Sequence, residues 1–241
     1  MKQGENGFFA RAVVNQTWAR FFGQGLVMPV DQMHGQNRPS HPELLAWLAR
    51  DLARHDYDLR RLIRGLVLSE GYARGSRWNG PQRPDPALYA VAIPRPLTPR
   101  QLGTSLQMAT AHPSTWAKQG ELESVFERLE KDGSNWANSF ERPTFDFQVS
   151  AEEALMFSNS EKVSKELLNE KDDRLLRHLL EAGDAEKMLR AAYQQVLARP
   201  PEAGELQALR EYLEKRSDRP AEALRQAVWA MISGTEFRFT Y

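Results

Sequence analysis

Residues 59–72 read LRRLIRGLVLSEGY, and residues 224–237 read LRQAVWAMISGTEF. Leu59, Leu62, Ile63, Leu66 and Val67 are spaced so that an α-helix gathers them on one face. Leu224, Ala227, Val228, Met231 and Ile232 repeat that spacing at one constant offset, and an aromatic follows each run at the same distance, Tyr72 or Phe237. A helix that is apolar on one side must bury that side against another element. These two stretches therefore predict a helical protein, and the rest of the chain says what they pack against.

The pattern recurs outward. Val13, Val14, Thr17, Trp18, Phe21 and Phe22 match Met188, Leu189, Ala192, Tyr193, Val196 and Leu197, and Leu45, Leu48 and Leu52 match Leu206, Leu209 and Leu213. Three helices thus recur in one order. Either a three-helix unit is written twice, or amphipathic helices resemble one another through their shared period. Further helices are expected over 120–131, 184–198, 202–216 and 221–232, with an irregular aromatic segment at 131–149. Thr98 and Gln101 form a capping pair around Pro99, and Ser150 and Glu153 form another. Period-two alternation is scarce, leaving room for a short strand pair only. The expected architecture is all-α: one helical domain over 1–241, built of two pseudo-repeated three-helix units with an inserted middle segment. Its N-terminal unit covers 8–72, a Pro- and Gly-broken connector 73–98, middle helices and the aromatic loop 99–170, and the C-terminal unit 175–241.

Lys and Arg number 32, and so do Asp and Glu. No long-range field attracts a polyanion, which weighs against nucleic-acid binding, although Arg60, Arg61 and Arg64 form a local basic patch. There is no cysteine, so disulfides, thiolate metal sites and thiol nucleophiles are excluded. No apolar run reaches membrane-spanning length, and the first residues lack the apolar core of a signal peptide. No P-loop, GxSxG elbow, GxGxxG fingerprint or HExxH helix is present.

The loop between the first two helices, GQGLVMPVDQMHGQNRPS at 23–40, is longer than its counterpart near the C-terminus and holds Val27, Met28 and Val30. Long ordered connections between helices tend to be functional. In the adjoining SHPE, Ser40 and Glu43 are expected to cap the next helix, with Pro42 in its first turn and Glu43 at the positive end of the dipole. The candidate binding residues are Asp31, His34, Arg38 and His41, with Trp136 from the aromatic segment. Asp31, His34 and His41 offer two nitrogens and a carboxylate, a set able to hold a divalent ion, although their spacing fits no metal motif. Trp136, Phe140, Phe145 and Phe147 suit either a platform for a sugar or partner, or anchors for a loop. No cofactor is expected in this chain.

FFARAVVNQTWARFFGQGLVMPVDQM, PSHPELLAWLARDL and YDLRRLIRGLVLSEGY resemble the planctomycete-type domain-of-unknown-function family fifteen fifty-three, the PSD-one domain. Its pattern falls on Asn15, Trp18, Phe22, Gly23, Gly25, Pro29, Asp31, Ser40 to Leu45, Ser69 and Tyr72, and its Ala-Leu-x-x-x-Asn segment on Ala154, Leu155 and Asn159. Gln16 stands where the family has Arg, and a Cys-bearing stretch of many members is missing. The resemblance implies a C-terminal domain of a large exported protein, behind a companion domain and often a c-type cytochrome module. It carries no catalytic residues. Together these readings favour a non-catalytic interaction module, extracytoplasmic, that binds the companion domain or another protein. The alternative is a metal-assisted hydrolase or polysaccharide-processing enzyme built on Asp31, His34 and His41.

Overall fold

The helices written in the apolar spacing form. In a computed structural model, which describes residues 7–116, 122–140, 151–159 and 161–240, α1 is Gly7–Phe22, α2 Pro42–Arg54, α3 Leu59–Val67, α4 Pro99–Thr110 and α5 Leu122–Ala137. They are followed by α6 Ala151–Asn159, α7 Leu175–Glu181, α8 Ala185–Leu197, α9 Ala203–Glu214 and α10 Pro220–Ser233. The strands among the described residues are β1 Arg95–Pro96 and β2 Phe239–Thr240, which pair. The fold class is all-α. No helix among the described residues is long and apolar enough to cross a membrane.

The capping pair at Thr98 is present. Thr98 Oγ accepts from the Gln101 amide and the Gln101 side chain accepts from the Thr98 amide. The pair expected at Ser40 is not. The N-cap of α2 is His41, without a side-chain cap bond, and both the amide and the hydroxyl of Ser40 donate to Leu26 O, at 2.7 and 3.2 Å. The loop takes the hydroxyl that the helix was expected to use. Ser150 lies outside the described residues, and Glu153 is buried in an ion pair with Arg238.

The segment after residue 131 also differs from expectation, because α5 continues to Ala137 and carries Trp136 on a helix. Gly133 falls within the stretch expected to be irregular, yet it is where α4 and α5 meet. A Cβ on Gly103 would strike the Gly133 carbonyl, and one on Gly133 would strike the Thr104 backbone. Phe145 and Phe147 lie outside the described residues.

The chain divides into two units, one reaching to Arg95 and taking in Thr240, the other Pro96–Phe239. In the first, Val14, Trp18 and Phe22 of α1 pack with Leu45, Leu48 and Leu52 of α2, Leu62 and Leu66 of α3, and Leu26 and Val27 of the loop. Each such side chain contributes about 1.5–3 kcal/mol through burial. The second unit builds its core from α4, α5, α7, α8 and α10, around Leu106, Trp136, Leu179, Val228 and Ile232. There α9 buries no side chain fully; Leu206, Leu209 and Leu213 stay half-exposed.

Candidate functional site

Asn15 organises the long loop of the first unit. Its side chain is 0% exposed; Nδ2 donates to Val27 O at 3.0 Å and Val30 O at 3.1 Å, and Oδ1 accepts from Val27 N at 2.9 Å. A buried amide with its groups engaged in this way fixes the backbone it touches. Gly23 ends α1 with φ +79°, a left-handed conformation that favours glycine. At Gly25 a Cβ would sit 2.6 Å from Val27 O and 3.0 Å from Asn15 Oδ1. Further along, Asn37 Nδ2 donates to Met28 O and Gln32 O, and the Met28–Pro29 bond is cis. The loop is therefore a closed, hydrogen-bonded structure.

An aromatic cluster lies beside it. Trp18 and Phe22 stack with centroids 4.0 Å apart, and Tyr89 meets both edge-on. The Tyr89 hydroxyl donates to Gly25 O at 2.8 Å, and burial raises its pKa above the ordinary tyrosine value, so it stays a donor. His41 packs its ring 5.7 Å from Tyr89 and has Nδ1 3.1 Å from Ser40 Oγ.

The candidate residues do not form one site. His34 and Arg38 line a hollow of about 290 Å³ with Arg11, Met33, Asn37 and Leu45. Asp31 is exposed. Asp31, His34 and His41 do not bring their ligand atoms together; among the described residues, the group that does is His112, His178 and Glu181. Trp136 is 1% exposed in the core of the second unit, with Phe140 stacked near it and the Lys162 ammonium 4.4 Å from its ring centre. It is an anchor, with no free face on which a sugar could stack.

The larger feature of the first unit is a groove of about 920 Å³ along α2 and α3. Leu48, Leu62 and Leu66 form its floor, while Trp47 at 57% and Leu68 at 74% exposure stand open at its rim. Arg60 and Arg64 are four residues apart on α3 and so share a face, which Leu68 continues one turn on. The groove's carboxylates are already engaged: Asp51 pairs with Arg61 at 3.3 Å, and Asp58 accepts from the Arg61 amide at 3.0 Å as the N-cap of α3. Arg60 and Arg64 make no ion pair among the described residues and remain as net positive charge beside an apolar trough. The sequence marks the arginines. Trp47 escapes notice because it lies off the Leu45, Leu48 and Leu52 face, and its being a large aromatic on the polar side of an amphipathic helix is the signal that could find it.

A family model described as PSD1, protein of unknown function (DUF1553), matches residues 1–213, and the chain belongs to that family. No curated protein and no solved structure matches it.

Proposed function

We propose that this PSD1-family chain is a protein-interaction module, and that its docking surface is the α2–α3 groove. The occupant is an amphipathic helix with an apolar face for Trp47 and Leu68 and acidic side chains for Arg60 and Arg64. The observation that carries the reading is the pairing of an exposed tryptophan and leucine with two uncompensated arginines over a leucine floor. Helices lie in apolar grooves through such anchors, and exposed aromatic and arginine side chains supply most of the energy of interfaces. The complementary charge selects an acidic partner and speeds its encounter.

The family resemblance supplies the partner to try first, the companion domain of an exported parent protein. On this reading the module works outside the cytoplasm. Purified companion domain, titrated into the chain by calorimetry, should bind. Trp47→Ala should weaken binding at least about tenfold, as loss of an interface anchor does. Arg60→Glu with Arg64→Glu should weaken it and flatten its salt dependence. All three residues are solvent-exposed, so the variants keep the fold. A companion domain that fails to bind, or binds these variants as it binds the parent chain, removes the proposal.

A further inference from the structure

We infer that His112, His178 and Glu181 bind one divalent transition-metal ion of the zinc class. The three residues belong to the second unit and are independent of the docking groove. His112 follows α4; His178 and Glu181 are three apart on α7 and share a face. Backbone pairing holds the two segments together, because Ala111 forms an antiparallel bridge with Arg174 and the His112 amide donates to Asp173 O at 2.8 Å. The imidazoles cross edge to face with centroids 5.0 Å apart, and one ligand atom from each of the three residues lies within 4.8 Å of the others. Ligand atoms on a tetrahedral ion stand roughly 3.4 Å apart, given bonds of about 2.1 Å. Both rings are half-buried and Glu181 is exposed, so small side-chain rotations close the set.

The surrounding contacts define how each ligand would present itself. The Ser114 amide donates to His112 Nδ1 at 3.0 Å, and Ser114 Oγ lies 2.8 Å from the same nitrogen. An ion on Nε2 requires the ring proton on Nδ1, so binding gives up the bond from the Ser114 amide and turns Nδ1–H toward Ser114 Oγ. A hydrogen bond of that kind orients metal-bound imidazoles generally. Arg177 Nε donates to Glu181 Oε1 at 2.9 Å, which leaves the second carboxylate oxygen for the ion. Two imidazoles and one carboxylate suit zinc and its neighbours, whereas magnesium and calcium favour all-oxygen shells. Three protein ligands leave a position for water.

The test uses the full chain stripped with chelator, titrated with Zn²⁺ by calorimetry and with Co²⁺ by visible absorption. One ion per chain is expected, with Mg²⁺ in excess failing to compete. His178→Ala should abolish binding. Glu181→Gln, at an exposed position that leaves the core untouched, should weaken it at least about tenfold. Substituting His34 and His41 by Ala should leave binding unchanged. The assignment is overturned if neither ion binds, if affinity is unchanged in both His178→Ala and Glu181→Gln, or if binding is lost with His34 and His41.

Discussion

Helices α2 and α9 carry the same ladder of three leucines, yet they end in different surroundings. Leu45, Leu48 and Leu52 are buried, at 2%, 8% and 2% exposure, whereas α9 buries none of Leu206, Leu209 and Leu213. The difference lies in what joins each helix to the one before it. Ahead of α2 a long loop folds down, contributes Leu26 and Val27 to the core, and is latched by Asn15. Ahead of α9 the chain turns quickly through Ala198, at φ +54°, and Arg199 ties the turn to Glu205 at 2.8 Å and Glu236 at 2.6 Å. The first arrangement rests on apolar burial and a neutral amide, the second on charged hydrogen bonds near the surface. A helical period locates a helix; the depth at which it sits depends on the connection beside it.

The strongest test of that contrast compares Leu45→Ala with Leu209→Ala. The buried site should lose about 2–5 kcal/mol and the half-exposed one about 1 kcal/mol in urea denaturation. Equal losses would erase the distinction. Next in size is Asn15→Leu, which strips Val27 and Val30 of their side-chain partners and should cost about 2–3 kcal/mol. Amide exchange at Val27 should accelerate in that variant while the second unit keeps its protection.

The smallest effect concerns the turn before α9. The Arg199 guanidinium holds the Glu205 carboxyl down at about 2, from an ordinary 4.5. A carboxylate depressed in the folded state adds stability that is complete above its unfolded pKa and is lost as pH falls through the folded one. Glu205→Gln should therefore cost about 1 kcal/mol at neutral pH, as a partly exposed pair does. The variant and the parent chain should converge as pH falls from 4.5 toward 2. A cost that persists unchanged at the acid end would assign the effect to packing.

Much of this architecture is legible in the sequence. Apolar spacing placed α1, α2, α3, α8, α9 and α10, because a one-sided helix writes its period directly into the sequence. The cap of α2 was misread because two acceptor and donor demands compete for Ser40, and only the folded loop shows that Leu26 O takes it. The extent of α5 was misread because Gly133, normally a weak helix residue, is required by the backbone of α4. Sites were harder. His34 and Arg38 share one hollow while His41, close in sequence, packs against Tyr89 instead, and His112 and His178 come together through pairing at Ala111 and Arg174 that no local pattern announces. The groove depends on Trp47 and Leu68 being left uncovered, which is a property of packing.

Amide hydrogen exchange of the chain, alone and saturated with the companion domain, tests the docking surface most directly. Protection should rise along α2 and α3, at residues 44–51 and 60–68, and leave the hollow around His34 and Arg38 unchanged. Protection confined to that hollow or to the second unit, with α2 and α3 exchanging as before, would contradict the assignment.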